Sequence, residues 1–60
     1  MKLKFHCMNW WGNAIYETKS GTPIVKLDDG YYTLSDSSDI DSDPCSKIKS
    51  DKIIIVEKFS

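Results

Sequence analysis

Four aspartates, Asp36, Asp39, Asp41 and Asp43, fall within eight residues of a serine-rich segment. Carboxylates at alternate positions are how a loop holds calcium. Asp39-x-Asp41-x-Asp43 reproduces the first three ligand positions of an EF-hand loop. The match then fails, because Pro44 stands where glycine makes the sharp turn and Ser50 where the bidentate glutamate belongs. No metal site and no cofactor are expected. Two readings of the segment stay open: a solvated loop, or an acidic recognition surface for a basic site on a partner protein. In the second, spaced carboxylates imitate nucleic-acid phosphates and opposite potentials speed encounter. Lys47, Lys49 and Lys52 partly cancel that field. Ser35, Ser37, Ser38, Ser42 and Ser46 suit an irregular loop as well as phosphorylation.

His6 is the sole histidine, and Cys7 and Cys45 are the only cysteines. Nucleophilic catalysis needs a base beside the nucleophile and an acid to orient it. Cys7 follows His6 directly in an alternating segment, so the two side chains point to opposite faces. A structural zinc site takes about four Cys or His ligands, more than this chain offers. No catalytic constellation emerges, and an enzyme is not expected.

Trp10, Trp11, Tyr16, Tyr31 and Tyr32 give a short chain a heavy aromatic load. Tryptophan and tyrosine are frequent interface anchors, because they bury much area at low rotamer cost. Adjacent residues of a strand face opposite sides, so one of Trp10 and Trp11, and one of Tyr31 and Tyr32, should lie outward. Outward rings either dock a partner or only cap the ends of the fold.

Sixty residues allow one domain, 1–60, which buries only about 60% of the surface its unfolded chain exposes. That suffices for a binding face and leaves little room for a catalytic pocket. The eight basic residues are all lysine against nine acidic ones, a net charge of −1. Without arginine forks for phosphates and guanine edges, nucleic-acid binding is disfavoured. The longest apolar run, Ile53–Val56, is far too short to span a bilayer, so no membrane association is expected. The N-terminal residues alternate and lack the apolar stretch of a signal peptide, which implies a cytoplasmic location with reduced thiols. In a secreted protein, a Cys7–Cys45 bridge closing about 38 residues would contribute roughly 3–4 kcal/mol.

Period-two alternation dominates the segments that must position these groups. Strands are expected at about 2–9, 14–18, 23–27, 31–34 and 53–59. In the first, Leu3, Phe5 and Cys7 point one way and Lys2, Lys4 and His6 the other. Gly12-Asn13 reads as a turn, and Gly21 can adopt the positive φ of a tight reversal. Pro23 opens the third strand, where its missing N–H costs least. Asp29-Gly30 is a strong hairpin signal. The β-branched run Ile53–Val56 suggests a strand buried on both faces and paired centrally, beside the first strand or the Asp29-Gly30 hairpin. The polar stretch 35–52 is long for a hairpin loop, so it is either an exposed functional loop or carries a helical turn around Pro44–Ile48. The fold class is all-β: a small five-stranded antiparallel meander or an SH3-like open barrel with one long acidic loop.

The composition is arginine-free, and the chain runs through Trp10-Trp11-Gly12-Asn13-Ala14-Ile15-Tyr16, Gly21-Thr22-Pro23-Ile24, Asp29-Gly30-Tyr31-Tyr32, the acidic Asp43-Pro44 loop and the closing Ile-Ile-Val-Glu strand. In these features, across most of its length, it resembles small accessory proteins of bacteriophages and prophages. The resemblance implies a module that binds and inhibits a host or anti-phage defence protein, in the cytoplasm of the bacterial host. The expected partner-binding residues are Trp10, Trp11, Tyr31, Tyr32, Asp36, Asp39, Asp41 and Asp43. The alternatives are an OB- or SH3-like binder of single-stranded nucleic acid by aromatic stacking, and a structural homo-oligomer. A homodimer suits any of these, since a short sheet leaves edges to pair.

Overall fold

The computed structural model describes residues 1–49 and 53–59. The described residues are all-β, with six strands in one open mixed sheet: β1 (Lys2–Met8), β2 (Ala14–Glu17), β3 (Pro23–Leu27), β4 (Gly30–Leu34), β5 (Pro44–Lys47) and β6 (Ile54–Val56). Their spatial order is β5-β4-β3-β2-β1-β6. The first five form an antiparallel meander, and β6 pairs in parallel with β1. Five antiparallel strands are therefore corrected to six in a mixed sheet. With β5 and β6 at opposite edges, the sheet does not close into a barrel.

Register assigns the side chains to two faces, because residues paired across strands share a face. One face carries Cys7, Ile15, Val25 and Tyr32 in a row across β1–β4. Ile15, Val25 and Leu34 are buried there, with Cys7, Leu27, Tyr32 and Ile40 packed against them. The opposite face carries Phe5, Tyr16, Ile24 and Thr33. The expected common face for Leu3, Phe5 and Cys7 is broken by a bulge. Pairing runs from Phe5↔Tyr16 directly to Cys7↔Ile15, which leaves the exposed His6 between them. The extra residue transfers Cys7 to the other side.

The turns follow their residues. Gly21 has φ of 89°, and its amide closes the reversal onto the Thr18 carbonyl at 2.9 Å. The second hairpin forms where Asp29-Gly30 signals it, but one position earlier. Leu27 pairs with Gly30, so Asp28 and Asp29 make the reversal. Gly30 opens β4 with φ of 149°, a conformation that disfavours L side chains. Lys47 Cε would stand 2.9 Å from a Cβ there.

Two further expectations change. Pro44–Lys47 is an edge strand instead of a helical turn, so the polar stretch 35–52 contains an element of its own. The Ser46 amide donates to Thr33 Oγ1 at 3.1 Å and the Ile48 amide to the Tyr31 carbonyl at 2.8 Å, fastening this edge. Pro44 can begin it because an edge strand needs no donor on its outer side. The closing strand is shorter than 53–59 and is peripheral, with Ile54 and Ile55 53% and 46% exposed. A β-branched run reports strand preference, while burial depends on which neighbours the strand acquires. Ser50 and Lys52 lie outside the described residues.

Candidate functional site

Between β1 and β2 the chain turns through Asn9–Asn13, organised by one side chain. Asn9 Oδ1 accepts hydrogen bonds from the amides of Trp11 (3.1 Å) and Asn13 (2.9 Å). The Asn9 amide donates to the Asn13 carbonyl at 2.9 Å, and the Gly12 amide to the Asn9 carbonyl at 3.1 Å. Asn9 Nδ2 donates outward to the Ile40 carbonyl at 3.3 Å. Asn9 is buried, and its two amide functions join the turn to a segment 31 positions away.

That segment is the acidic one. Its aspartates close the loop on itself by Asx-type turns. Asp36 Oδ1 accepts from the Ser38 hydroxyl (2.7 Å) and amide (2.9 Å), and Asp39 Oδ1 from the Asp41 amide (2.9 Å). The Ser42 hydroxyl lies 2.7 Å from the Asp39 carbonyl and accepts from the Asp36 amide. The base is tied by the Ser35 amide donating to the Asp43 carbonyl at 2.8 Å. Ile40, the one apolar residue of 35–43, packs on the Ile15–Val25–Leu34 cluster and pins the loop over that face.

Asp41 makes the junction. Its Oδ1 accepts from the Trp10 amide at 2.7 Å, and its carbonyl from Trp11 Nε1 at 3.2 Å. The two indoles meet edge to face, with centroids 4.8 Å apart and planes at 87°. They lie in a turn outside the strand, so both point outward, 77% and 63% exposed. An open cleft of about 230 Å³ runs between this turn and Ser42–Pro44, with the buried Val25 at its base and Trp11 in its wall.

The structure therefore unites Trp10 and Trp11 with Asp41 and Asp43, and places Asp36 and Asp39 in the same loop. Tyr31 and Tyr32 are half-buried and belong elsewhere. Tyr31 ends an edge-to-face row, Phe5–Tyr16–Tyr31, with spacings of 5.7 and 5.6 Å, and Lys26 Nζ stands 5.4 Å from its ring. Tyr32 packs on the other face, and its hydroxyl donates to Asp29 Oδ2 at 2.9 Å. Lys47 Nζ lies 3.8 Å from the same oxygen.

Among the described residues, two groups titrate away from their ordinary values. The Ser38 hydroxyl and amide hold the Asp36 carboxyl below the ordinary aspartate range. The hydrogen bond to Asp29 raises the Tyr32 phenol, helped by partial desolvation and the Asp29 charge. Cys7 and Cys45 are free thiols. Among the described residues no three His, Cys, Asp or Glu side chains gather as a metal site. No described helix is long and apolar enough to cross a membrane.

Asn9 and Ile40 are essential to the site, yet neither carries a strong sequence signal. An asparagine four residues before Asn13, with glycine between, is the trace of the turn. A lone isoleucine among aspartates and serines is the trace of the anchor. No protein-family model matches the chain, and neither a curated protein nor a solved structure does.

Proposed function

We propose that the chain is a non-enzymatic protein-binding module that docks through the Trp10–Trp11 turn and the adjoining acidic loop. The observation that carries this reading is the exposed edge-to-face pair of indoles, with the Trp10 backbone amide and the Trp11 indole N–H both donating to Asp41. Exposed tryptophans held before binding lose little conformational freedom on docking, and they are the commonest hot-spot residues. The surrounding carboxylates supply a negative field that favours a basic partner surface and speeds encounter. Inhibition of a host or anti-phage defence protein in the bacterial cytoplasm, as the phage resemblance implies, is the role proposed.

A second reading has its own observation. Phe5, Tyr16 and Tyr31 form an aromatic row on the opposite face, and Phe5 is exposed. Such rows can stack single-stranded bases. The absence of arginine and the net negative charge weigh against it.

The test immobilises the chain, exposes it to bacterial host lysate and compares variants that keep the wild-type melting curve. The docking reading expects a stoichiometric protein retained by wild type and by Phe5→Ser, and lost by Trp10→Ala and Trp11→Ala. Retention unaffected by both tryptophan variants overturns it. Single-stranded DNA or RNA binding at low salt that Phe5→Ser abolishes would establish the second reading instead.

A further inference from the structure

The cleft beside Trp11 has a chemistry more specific than its surroundings. Its apolar surfaces are the Trp11 indole, Val25 and Pro44, and its polar ones include Asn13 and Asp43. Trp11 cannot swing freely, because Nε1 is bonded to the Asp41 carbonyl. Among the described residues, the side chains of Asn13 and Asp43 have no hydrogen-bonding partner, so a carbonyl oxygen and a carboxylate remain available. Residues 35–43 contain four aspartates and no lysine. The field at the cleft mouth therefore repels anions and attracts cations. At about 230 Å³ the cleft is smaller than the roughly 300–1,000 Å³ typical of small-molecule sites. A single side chain matches it better than a whole metabolite.

We infer that this cleft takes an arginine side chain presented by a partner protein. The inference rests on the docking reading above and names the chemistry of the partner at that site. An arginine stem covers Pro44 and Val25 while the guanidinium lies against the Trp11 ring, a stacking that a planar, weakly hydrated cation favours. Its N–H fork meets the Asp43 carboxylate and the Asn13 side-chain oxygen, both without a partner among the described residues. Lysine offers a compact, strongly hydrated charge without a flat face, and so fits less well.

The test titrates the isotopically labelled chain with blocked Gly-Arg-Gly, Gly-Lys-Gly and Gly-citrulline-Gly peptides, followed by amide and indole NMR. The arginine peptide is expected to shift the Trp11 Nε1–H and the Asn13 and Asp43 amides saturably. The dissociation constant should be on the order of millimolar, as one side chain provides. The lysine peptide should bind more weakly, and the neutral citrulline peptide should leave the cleft unshifted. Asp43→Asn should weaken the arginine peptide roughly fivefold, as loss of a partly exposed ion pair does. Among the described residues the Asp43 side chain has no bonding partner, so the variant should keep the wild-type melting curve. Silence with arginine, or equal shifts with lysine or citrulline, overturns the inference. Its failure is separable from that of the docking reading: a captured partner that depends on Trp11 but not on Asp43 sinks the cleft assignment alone.

Discussion

The Trp10 amide donates a 2.7 Å hydrogen bond to the carboxylate of Asp41, 31 positions later in the chain. This bond joins the hairpin turn to the acidic loop and makes one surface of two segments that are remote in sequence. Together with the Trp11 Nε1 bond to the Asp41 carbonyl, it ties both tryptophans to one residue of the loop.

Replacing Asp41 should therefore loosen the surface without removing the fold. Asp41→Ala leaves the Asp41 carbonyl for Trp11 Nε1 but strands the Trp10 amide in water. A loss of about 1 kcal/mol is expected, the net value of a charge-assisted bond in an exposed place. Hydrogen exchange should show the Trp10 amide deprotected well before the amides of β2 and β3.

Asn9 should matter more than its size suggests. Asn9→Ala orphans the Trp11 and Asn13 amides at a half-buried turn and cuts the bond to Ile40, at about 2 kcal/mol. Asn9→Asp keeps an acceptor for both amides and loses only the donor, so its urea midpoint should fall between those of Asn9→Ala and wild type.

Ile40→Ala tests whether the acidic segment is held by packing or by its own turns. Removing the anchor from the Ile15–Val25–Leu34 cluster should cost about 1–2 kcal/mol, the low end for a partly buried aliphatic truncation. Trp10 and Trp11 fluorescence should shift toward that of free indole before the sheet unfolds. A shift only at the global transition would contradict the assignment of Ile40 as the anchor.

The pH dependence has a defined sign at each end. Asp36 titrates below its ordinary 3.8 in the folded chain. Its contribution is present above the unfolded value and is lost as pH falls through the lower folded one. Tyr32 titrates above its ordinary 10.0, so its contribution is present below that value and is lost as pH rises through the higher folded one. Ser38→Ala should return Asp36 toward 3.8, and Asp29→Asn should return Tyr32 toward 10.0; carboxyl and phenol NMR titrations read both.

The edge position of β6 can be checked by a matched pair of substitutions. Ile24 is 2% exposed and Ile54 is 53% exposed. Ile24→Val should cost about 1 kcal/mol, while Ile54→Val should stay within about 0.5 kcal/mol of wild type. Equal losses would place β6 in the interior.

The sequence by itself determined much of the local order. Alternation in Leu3-Lys4-Phe5 and Val25-Lys26-Leu27, with turn residues at Gly21 and Asp28–Gly30, marked the first four strands of the meander, because period-two patterning and backbone stereochemistry act within a few residues. Charge and aromatic content likewise marked the acidic loop and the two tryptophans. What only the tertiary structure decided is which of these segments meet. The bulge at His6 moves Cys7 to the opposite face from Phe5, since one extra residue inverts every side chain beyond it. The Ile54–Val56 strand takes an edge beside β1, because β-branched residues favour extension wherever a partner strand is offered. Tyr31 and Tyr32 part to opposite faces of the sheet. Trp10, Trp11 and Asp41 come together where Ile40 packs on the Ile15–Val25–Leu34 cluster and Asn9 bonds to its carbonyl. That is a choice of burial among distant apolar residues, and no local pattern encodes it.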